Sequence, residues 1–206
     1  MIKFENVNVK YVEEFFSLFN FSYTFNEHTL IIGDELSGAN TVLRLISKFD
    51  KLYTGNILIN DTNIKNIKDK QLDIAFVSKE PYLFNHRSLE YNLSFPLIIR
   101  KINKKTIKNT VNNAIFEYNL ENFGKKVKNL TISEKKIITL LRAYLRKPKY
   151  VLLENFFENL EEKFTPIANK ILLDISKNSI IITCEKQEYD IFKNFKTIHI
   201  NGGVIN

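Results

Sequence analysis

The sequence predicts an α/β domain with a β-rich front and an inserted helical region. A short apolar run, "HTLIIG", leads into a glycine loop, and an amphipathic segment with helical periodicity follows the loop directly. Two later runs, "YVLLE" and "SIIITC", are uninterrupted apolar stretches of the type found in strands of buried parallel sheets. A long stretch with helical periodicity separates the glycine loop from these runs, which indicates a helical insertion within the α/β order.

The front of the chain is predicted to be rich in strands. Alternation of apolar and polar residues indicates strands in "IKFENVNVKY" and "FFSLFNFSYTF". After the glycine loop, apolar residues at 42, 43, 45, 46 and 49 form one face of a helix in "TVLRLISKF". A glycine turn then introduces a strand in "GNILIN", and "LDIAFVS" is expected to be another.

The middle of the chain is predicted to be helical and its end to be a hairpin. Residues 88–118 are expected to be mostly helical, with Pro96 as an interruption. The segment "ISEKKIITLLRAYLRK" predicts a further helix, capped by Thr131 or Ser133 and ended by "KPK". "FKTIHI" and "GGVIN" are expected to pair around two adjacent glycines.

The composition indicates a globular chain in a reducing compartment. The 206 residues are 44% hydrophobic and include 17 Phe and 9 Tyr, enough apolar bulk for one good-sized α/β domain or two small ones. Cys184 is the single cysteine, so an internal disulfide is excluded. The polar, alternating N-terminus is not expected to be a signal peptide, and no apolar run approaches the roughly 18 residues of a membrane span.

The basic excess leaves two interpretations open. The chain has 30 basic and 23 acidic residues and a net charge of +7. A basic face could bind nucleic acid or anionic lipid, or the lysines could be solvated residues of a composition biased toward Lys, Asn and Ile. The small number of arginines and the lack of a single basic stripe favour the second interpretation. The one dense cluster is Lys101, Lys104, Lys105 and Lys108.

The glycine loop has the frame of a phosphate-binding loop without its reactive residues. In "LIIGDELSGANT", Gly33 and Gly38 have the spacing of the motif G-x-x-x-x-G-K-[ST]. The lysine position holds Ala39, and the hydroxyl position holds Asn40, which Thr41 follows. The glycine spacing alone therefore leaves open whether this is a phosphate loop that has lost its chemistry.

Several strings in order resemble the ATP-binding cassette (ABC) transporter ATPases. The resemblance covers nearly the whole chain, and its five motifs are individually weak but occur at the spacing of the family. It implies a P-loop NTPase-like core sheet, a β-rich N-terminal subdomain and an inserted helical subdomain at approximately 86–145, all within one domain of residues 1–206. The strings are "IIGDELSGANTVLRLI", "GNILINDTNI", "IAFVSKEPYLFNHRSLEYNLSFPL", "LTISEKKIITLLRAYLRKPKYVLLENFFENLEE" and "SIIITCEKQEYDIF".

The resemblance implies that the nucleotide side of the site is altered. The lysine that binds the β- and γ-phosphates and the hydroxyl that binds Mg²⁺ correspond to Ala39 and Asn40. Asp34 and Glu35 also lie inside the loop, where their charges would oppose phosphate, although either could instead cap the helix. Only Asn40 and Glu154 are candidate metal ligands, and only if Mg²⁺ binds.

The resemblance also implies that the catalytic positions are altered. Glu154 stands at the Walker B aspartate, and Asn155 at the catalytic glutamate, where an amide cannot accept a proton from water. Cys184 replaces the switch histidine, and Lys79 replaces the Q-loop glutamine. In the signature motif, Ile132-Ser133 replaces two glycines, Glu134 follows, and Thr131 alone keeps a hydroxyl.

Other features of the family are kept. Tyr11 is placed like the aromatic residue that stacks on adenine, and Gly33, Gly38 and the loop length are preserved. The aromatic and apolar segment 80–97 corresponds to the surface that docks the coupling helix of a membrane permease. For any one side chain in this segment, burial in the domain's own core is an equally good interpretation.

These observations favour a catalytically degenerate ABC subunit with a structural or regulatory role. Its expected partners are a membrane permease or another ABC ATPase, as a homodimer or heterodimer, in the cytoplasm at the inner face of the membrane. ATP and Mg²⁺ are expected to bind weakly if at all, with no cofactor required. An alternative is an active ATPase in which Lys79 stands in for the loop lysine and Glu154 holds Mg²⁺. A second alternative is a basic nucleic-acid-binding protein, which the scattered lysines disfavour.

One side-chain contact is predicted from these substitutions. The family's Q-loop glutamine and Walker B acid converge on the metal, and here they have become Lys79 and Glu154. An ion pair between them could replace the metal bridge, whereas a solvated Lys79 pointing away is an equally good interpretation.

Overall fold

The structure, a computed structural model, describes residues 1–12, 15–123 and 126–205, without the side chains at 11, 12, 15 and 16. The chain divides into two compact units. The first contains Met1–Phe76, Lys149–Asn155 and Ile180–Asn206, and the second contains Val77–Pro148 and Phe156–Ser179.

The first unit is built from two sheets and one helix. A four-stranded antiparallel sheet has the order β2-β1-β4-β5, and a six-stranded sheet has the order β10-β9-β3-β8-β7-β6. Phe4 of the first sheet, Leu152 of the second and Val42 of α1 belong to one buried apolar cluster. The elements are β1 (Ile2–Val12), β2 (Phe15–Phe25), β3 (Thr29–Ile32), α1 (Ala39–Ile46), β4 (Thr54–Ile59), β5 (Thr62–Asn63), β6 (Ile74–Val77), β7 (Tyr150–Glu154), β8 (Ile180–Glu185), β9 (Lys196–Asn201) and β10 (Val204–Ile205).

The parallel register of the second sheet brings three strand ends together. Ile31 of β3 is paired with Cys184 of β8, and Cys184 is paired with Glu154 of β7. Because the carboxyl ends of parallel strands meet at one edge of a sheet, the glycine loop after β3 lies beside Glu154 and Cys184. This edge is where an open α/β sheet binds its ligand.

The second unit is helical. It contains α2 (Leu89–Ile99), α3 (Lys104–Glu117), α4 (Ile132–Arg146) and α5 (Thr165–Ser176). The side chains of Ser88, Asn103 and Thr131 accept hydrogen bonds from backbone N–H groups in the first turns of α2, α3 and α4. Polar caps of this kind satisfy donors that a helix start leaves without partners.

The expected interruption at Pro96 is wrong. Pro96 lies inside α2, and the helix ends only at Ile99. Proline removes one backbone hydrogen bond from a helix, but Leu93 and Leu97 on either side of it are buried in the unit's core. This packing compensates for the missing bond, so the break falls between α2 and α3.

Among the described residues, no helix is both long enough and apolar enough to cross a bilayer. The α/β class and the order of strands and helices agree with the sequence prediction.

Candidate phosphate-loop site

The loop between β3 and α1 is closed by its own serine. The Ser37 N–H donates to the Asp34 carbonyl at 3.0 Å, and the Ser37 hydroxyl donates to the same oxygen at 2.7 Å. The Ser37 Oγ also accepts the Ala39 N–H at 3.2 Å. The N–H that opens α1 therefore has a partner within the loop.

The expectation that Asp34 or Glu35 caps α1 is wrong. The N-cap residue is Gly38, and α1 has no side-chain cap hydrogen bond at that position. The turn leaves both carboxylates exposed, and the Glu35 Oε1 lies 3.0 Å from the Lys186 ammonium. The Ala39 N–H is instead bonded to the Ser37 hydroxyl oxygen.

The backbone around Gly38 is packed tightly by two other segments. Gly38 has a φ of 95°, and a Cβ at this position would overlap the Ser17 carbonyl oxygen of β2. The Gly203 N–H, in the turn between β9 and β10, donates to the Ser37 carbonyl at 2.9 Å. The Phe19 N–H donates to the Gly203 carbonyl at 2.9 Å, so the hairpin turn joins the loop to β2.

The start of α1 has two polar side chains, Asn40 and Thr41, and Thr41 is the one whose side chain bonds to another segment of the described chain. The Thr41 and Ser17 hydroxyl oxygens are 2.5 Å apart and share a buried hydrogen bond. The Asn40 Oδ1 is buried and accepts no hydrogen bond within the described part of the chain. A buried acceptor in this state is a place where water or a cation can bind.

The thiol of Cys184 contacts the backbone of the loop. Its Sγ donates to the Ala39 carbonyl oxygen at 3.0 Å, and both residues are buried. Burial raises the pKa of the Cys184 thiol well above its ordinary value, and the carboxylates of Glu185 and Glu154 raise it further. At neutral pH the group is therefore a neutral hydrogen-bond donor.

The end of β7 presents a carboxylate followed by a buried amide. Asn155 has a φ of 43°, in the left-handed region that Asn tolerates, and its N–H donates to the Cys184 carbonyl at 2.8 Å. Its side chain has no basic group that could take a proton from water. Glu154, its neighbour, is partly buried and lies beside Cys184 in the sheet register. The side chain of Tyr11 lies outside the described residues.

In the second unit, Lys79 is paired with Glu158. Its ammonium lies 2.9 Å from the Glu158 Oε1. The ammonium of Lys136, a buried side chain of α4, donates to the backbone carbonyls of Phe156 and Glu158 at 2.9 and 2.5 Å. The contact between Lys79 and Glu154 stays a prediction.

The first turn of α4 is also closed internally. The Thr131 Oγ1 accepts the Glu134 N–H at 3.2 Å, and the Glu134 Oε2 accepts the Thr131 N–H at 2.8 Å, which forms a capping box. The buried Ser133 Oγ accepts the Glu161 N–H at 3.0 Å. Ile132 is 56% exposed. The Thr131 hydroxyl and the Glu134 carboxylate therefore hold the helix start itself, whereas the Ser133 hydroxyl binds the segment at Glu161.

Sequence reasoning missed Ser37, Ser17 and Lys136. Ser37 had a local signal, because a hydroxyl two residues before the first helical residue can accept its N–H. Ser17 lies in a strand of the other sheet, and Lys136 looks like a solvated helix residue. Their roles depend on which segments meet in the fold.

The sequence model that describes the ABC transporter family matches residues 16–157. The chain belongs to the ABC transporter family. Curated relatives include the spermidine/putrescine import ATP-binding protein PotA of Acetivibrio thermocellus, 27% identical over 87% of this chain and 52% of the relative. PotA of Fusobacterium nucleatum is 30% identical over 77% and 43%, and the methionine import ATP-binding protein MetN 1 of Staphylococcus epidermidis is 27% identical over 86% and 55%. The chain thus spans about half the length of the curated relatives it matches.

Solved structures of ABC cassettes have the same fold. A dimeric, post-hydrolysis form of the ATP-binding cassette MJ0796, bound to ADP and Pi, matches with a TM-score of 0.85 at 20% sequence identity. The match covers 100% of this ABC chain and 97% of that cassette. A second dimeric structure of the same cassette matches with a TM-score of 0.86. This likeness establishes the ABC cassette fold.

Proposed function

We propose that this ABC-family chain is a catalytically degenerate ATP-binding subunit with a structural or regulatory role. The observation that carries the proposal is the closed loop around Ala39. Ala39 brings no ammonium, its N–H is bonded to Ser37, and its carbonyl oxygen accepts the Cys184 thiol. Both backbone groups of Ala39 are thus engaged with the protein itself.

The residues at this edge do not fit a hydrolytic magnesium–triphosphate site. Thr41 is bonded to Ser17, and the Asp34 and Glu35 carboxylates would repel phosphate oxygens. The Asn40 Oδ1 and the Glu154 carboxylate could each hold a cation, but neither replaces the missing loop lysine. Asn155 cannot act as a general base, and the neutral Cys184 thiol supplies no charge for a developing phosphate anion.

The second half of a shared ABC site is altered as well. In the family, a partner's nucleotide faces the signature turn. Here the Glu134 carboxylate of that turn accepts a hydrogen bond from the Thr131 N–H. Negative charge and an exposed Ile132 both oppose a phosphate at this position. We therefore infer that pairing with an intact ABC ATPase would leave two impaired sites.

The active-ATPase alternative is weaker. It requires the Lys79 ammonium to act on a phosphate, whereas this ammonium lies within 2.9 Å of the Glu158 carboxylate. Releasing it would leave a half-buried carboxylate without this partner, which costs free energy.

The proposed partners are a membrane permease or another ABC ATPase, at the inner face of the membrane. Within the segment 80–97, Tyr82 and Phe84 are exposed, while Leu89, Leu93 and Leu97 are buried. The exposed aromatic residues of this ABC chain could contact a permease, and the leucines hold α2 in place. The dimeric MJ0796 cassettes suggest that pairing with a second cassette is open to this fold.

Calorimetric titration with Mg-ATP, together with an ATPase assay, tests the proposal. The full chain should show no hydrolysis above background, with or without a co-purified permease or ABC partner whose own site has been inactivated. Turnover that depends on Glu154 or Lys79 of this chain would overturn it. A Glu154→Gln variant is the matched control, because it removes the charge and keeps the shape.

A further inference from the structure

A long acid-free stretch surrounds the connection between α2 and α3. No Asp or Glu occurs between Glu90 and Glu117. The stretch contains five basic residues, which all fall between positions 100 and 108: Arg100, Lys101, Lys104, Lys105 and Lys108. We call residues 98–108 the α2–α3 corner. Its charge is therefore entirely positive, although the chain as a whole carries 23 acidic residues.

The α2–α3 corner exposes isoleucines together with these charges. Residues 98–106 are all exposed, in one uninterrupted run. Ile98, Ile99 and Ile102 are 46%, 63% and 37% exposed, whereas Ile107 of the same corner is buried. Branched apolar side chains beside lysines are unfavourable in water unless another surface covers them.

The geometry holds the corner in this conformation. Lys101 has a φ of 58°, so the chain turns sharply between the two helices. The Arg100 guanidinium donates to the Arg146 carbonyl oxygen at the end of α4, at 2.8 Å. Within the described part of the chain, Lys101, Lys104, Lys105 and Lys108 make no ion pair, so their charges are available to an external anion.

We propose that the α2–α3 corner docks on a surface of anionic phospholipid headgroups. Lysines beside protruding apolar residues are the combination that binds the boundary between headgroups and acyl chains. Nucleic acid is a poorer fit, because the corner has no aromatic side chain on which a base could stack and only one arginine, which is already bonded to Arg146. The isoleucines would enter the headgroup region while the lysines remain at the phosphates. The contact does not depend on whether the chain binds ATP.

Vesicle flotation of the full chain tests this contact. The protein should float with vesicles of phosphatidylcholine that contain phosphatidylglycerol and not with phosphatidylcholine alone, and added salt should release it. Replacing Lys104, Lys105 and Lys108 together with Gln should weaken partitioning roughly 100-fold, at about 1 kcal/mol per lysine near an anionic surface. A matched control replaces Lys51, Lys68 and Lys70 with Gln, since these are exposed lysines of the first unit and give the same net charge.

Two further measurements separate lipid from other anions. A variant with Ile99→Ser and Ile102→Ser keeps every charge and should lower partitioning about tenfold, because it removes the inserting side chains. Equal losses in the corner variant and the control variant would overturn the proposal, as would equal binding to neutral vesicles. Binding of duplex DNA that depends on the corner lysines, without vesicle binding, would also overturn it. Unchanged melting temperatures verify that the variants are folded.

Discussion

The Lys79 ammonium lies 2.9 Å from the Glu158 carboxylate, and the backbone carbonyl of Glu158 accepts the Lys136 ammonium. Two lysines from different segments of the second unit thus hold residues 156–158. Both partners of the Lys79–Glu158 pair are partly shielded from water, so the pair contributes more than a fully exposed pair would. The side chains of Lys79 and Lys136 therefore hold residues 156–158 in place.

Lys79→Ala should lower the free energy of unfolding by about 1 kcal/mol, because it leaves Glu158 without this partner. The double variant with Glu158→Gln should cost less than the sum of the two single changes. Urea denaturation of the four proteins measures the coupling. The same cycle with Glu154→Ala tests the contact expected from sequence. Strict additivity for the Glu158 cycle would contradict the ion pair.

The purified chain should not hydrolyse ATP measurably. Removing a general base commonly costs about 10²–10⁴-fold in rate, and we propose that Asn155 stands at the position of that base. The missing ammonium at Ala39 lowers the rate further, because it would have stabilised charge on the transferring phosphoryl group. Phosphate release is the measurement, and a turnover near 1 per second, a rate typical of working enzymes, would contradict the prediction.

Ala39→Lys should not restore hydrolysis, although it can tighten ATP binding. One charge-assisted contact to phosphate is worth about 1.5–3 kcal/mol, or roughly 10- to 150-fold in affinity. Asn155 and the Asp34 and Glu35 carboxylates would remain. Calorimetry with Ala39→Met as the uncharged control isolates the ammonium. Hydrolysis rescued by this single substitution would show that the rest of the site is intact.

Gly38→Ala should destabilise the fold by at least about 2 kcal/mol, since it combines a left-handed backbone with overlap of the Ser17 carbonyl. Gly202→Ala is the matched control. Gly202 also has a positive φ, 54°, but apart from Gly202 and its two chain neighbours no heavy atom of the described residues lies within 4 Å of its Cβ position. In thermal or urea unfolding, the free energy of unfolding of this control should fall by only about 1–2 kcal/mol. Equal losses would mean that β2 does not press on the loop.

Stability should fall at alkaline pH through Cys184. Its pKa is raised in the folded state by burial and the nearby Glu185 and Glu154 carboxylates, whereas the unfolded thiol ionises near about pH 8.5. The contribution of the neutral thiol is therefore fully present below about pH 8.5. It is lost at about 1.4 kcal/mol per pH unit as the pH rises toward the folded pKa. Cys184→Ala should lack this slope in urea titrations, and parallel profiles for the two proteins would contradict the raised pKa.

The sequence by itself determined the elements that depend on local pattern. Alternation gave β1 and β2, a 3.6-residue period gave α1 and α4, and uninterrupted apolar runs gave β7 and β8. It also determined the composition of the site, because the absence of a loop lysine and the amide at Asn155 follow from residue identity. Motif order was enough to indicate the ABC family.

Only the tertiary structure decided which groups meet. Ser37 rather than Asp34 or Glu35 meets the Ala39 N–H, Ser17 meets Thr41, and Glu158 meets Lys79. Hydrogen bonds and ion pairs act over a few ångströms, and several acceptors of similar strength compete for each donor. Backbone geometry decides which acceptor forms the bond. Examples are the tight turn at 34–37 and the passage of β2 over Gly38, which no local pattern encodes. Pro96 shows the same dependence, since buried leucines around it override its local tendency to break a helix.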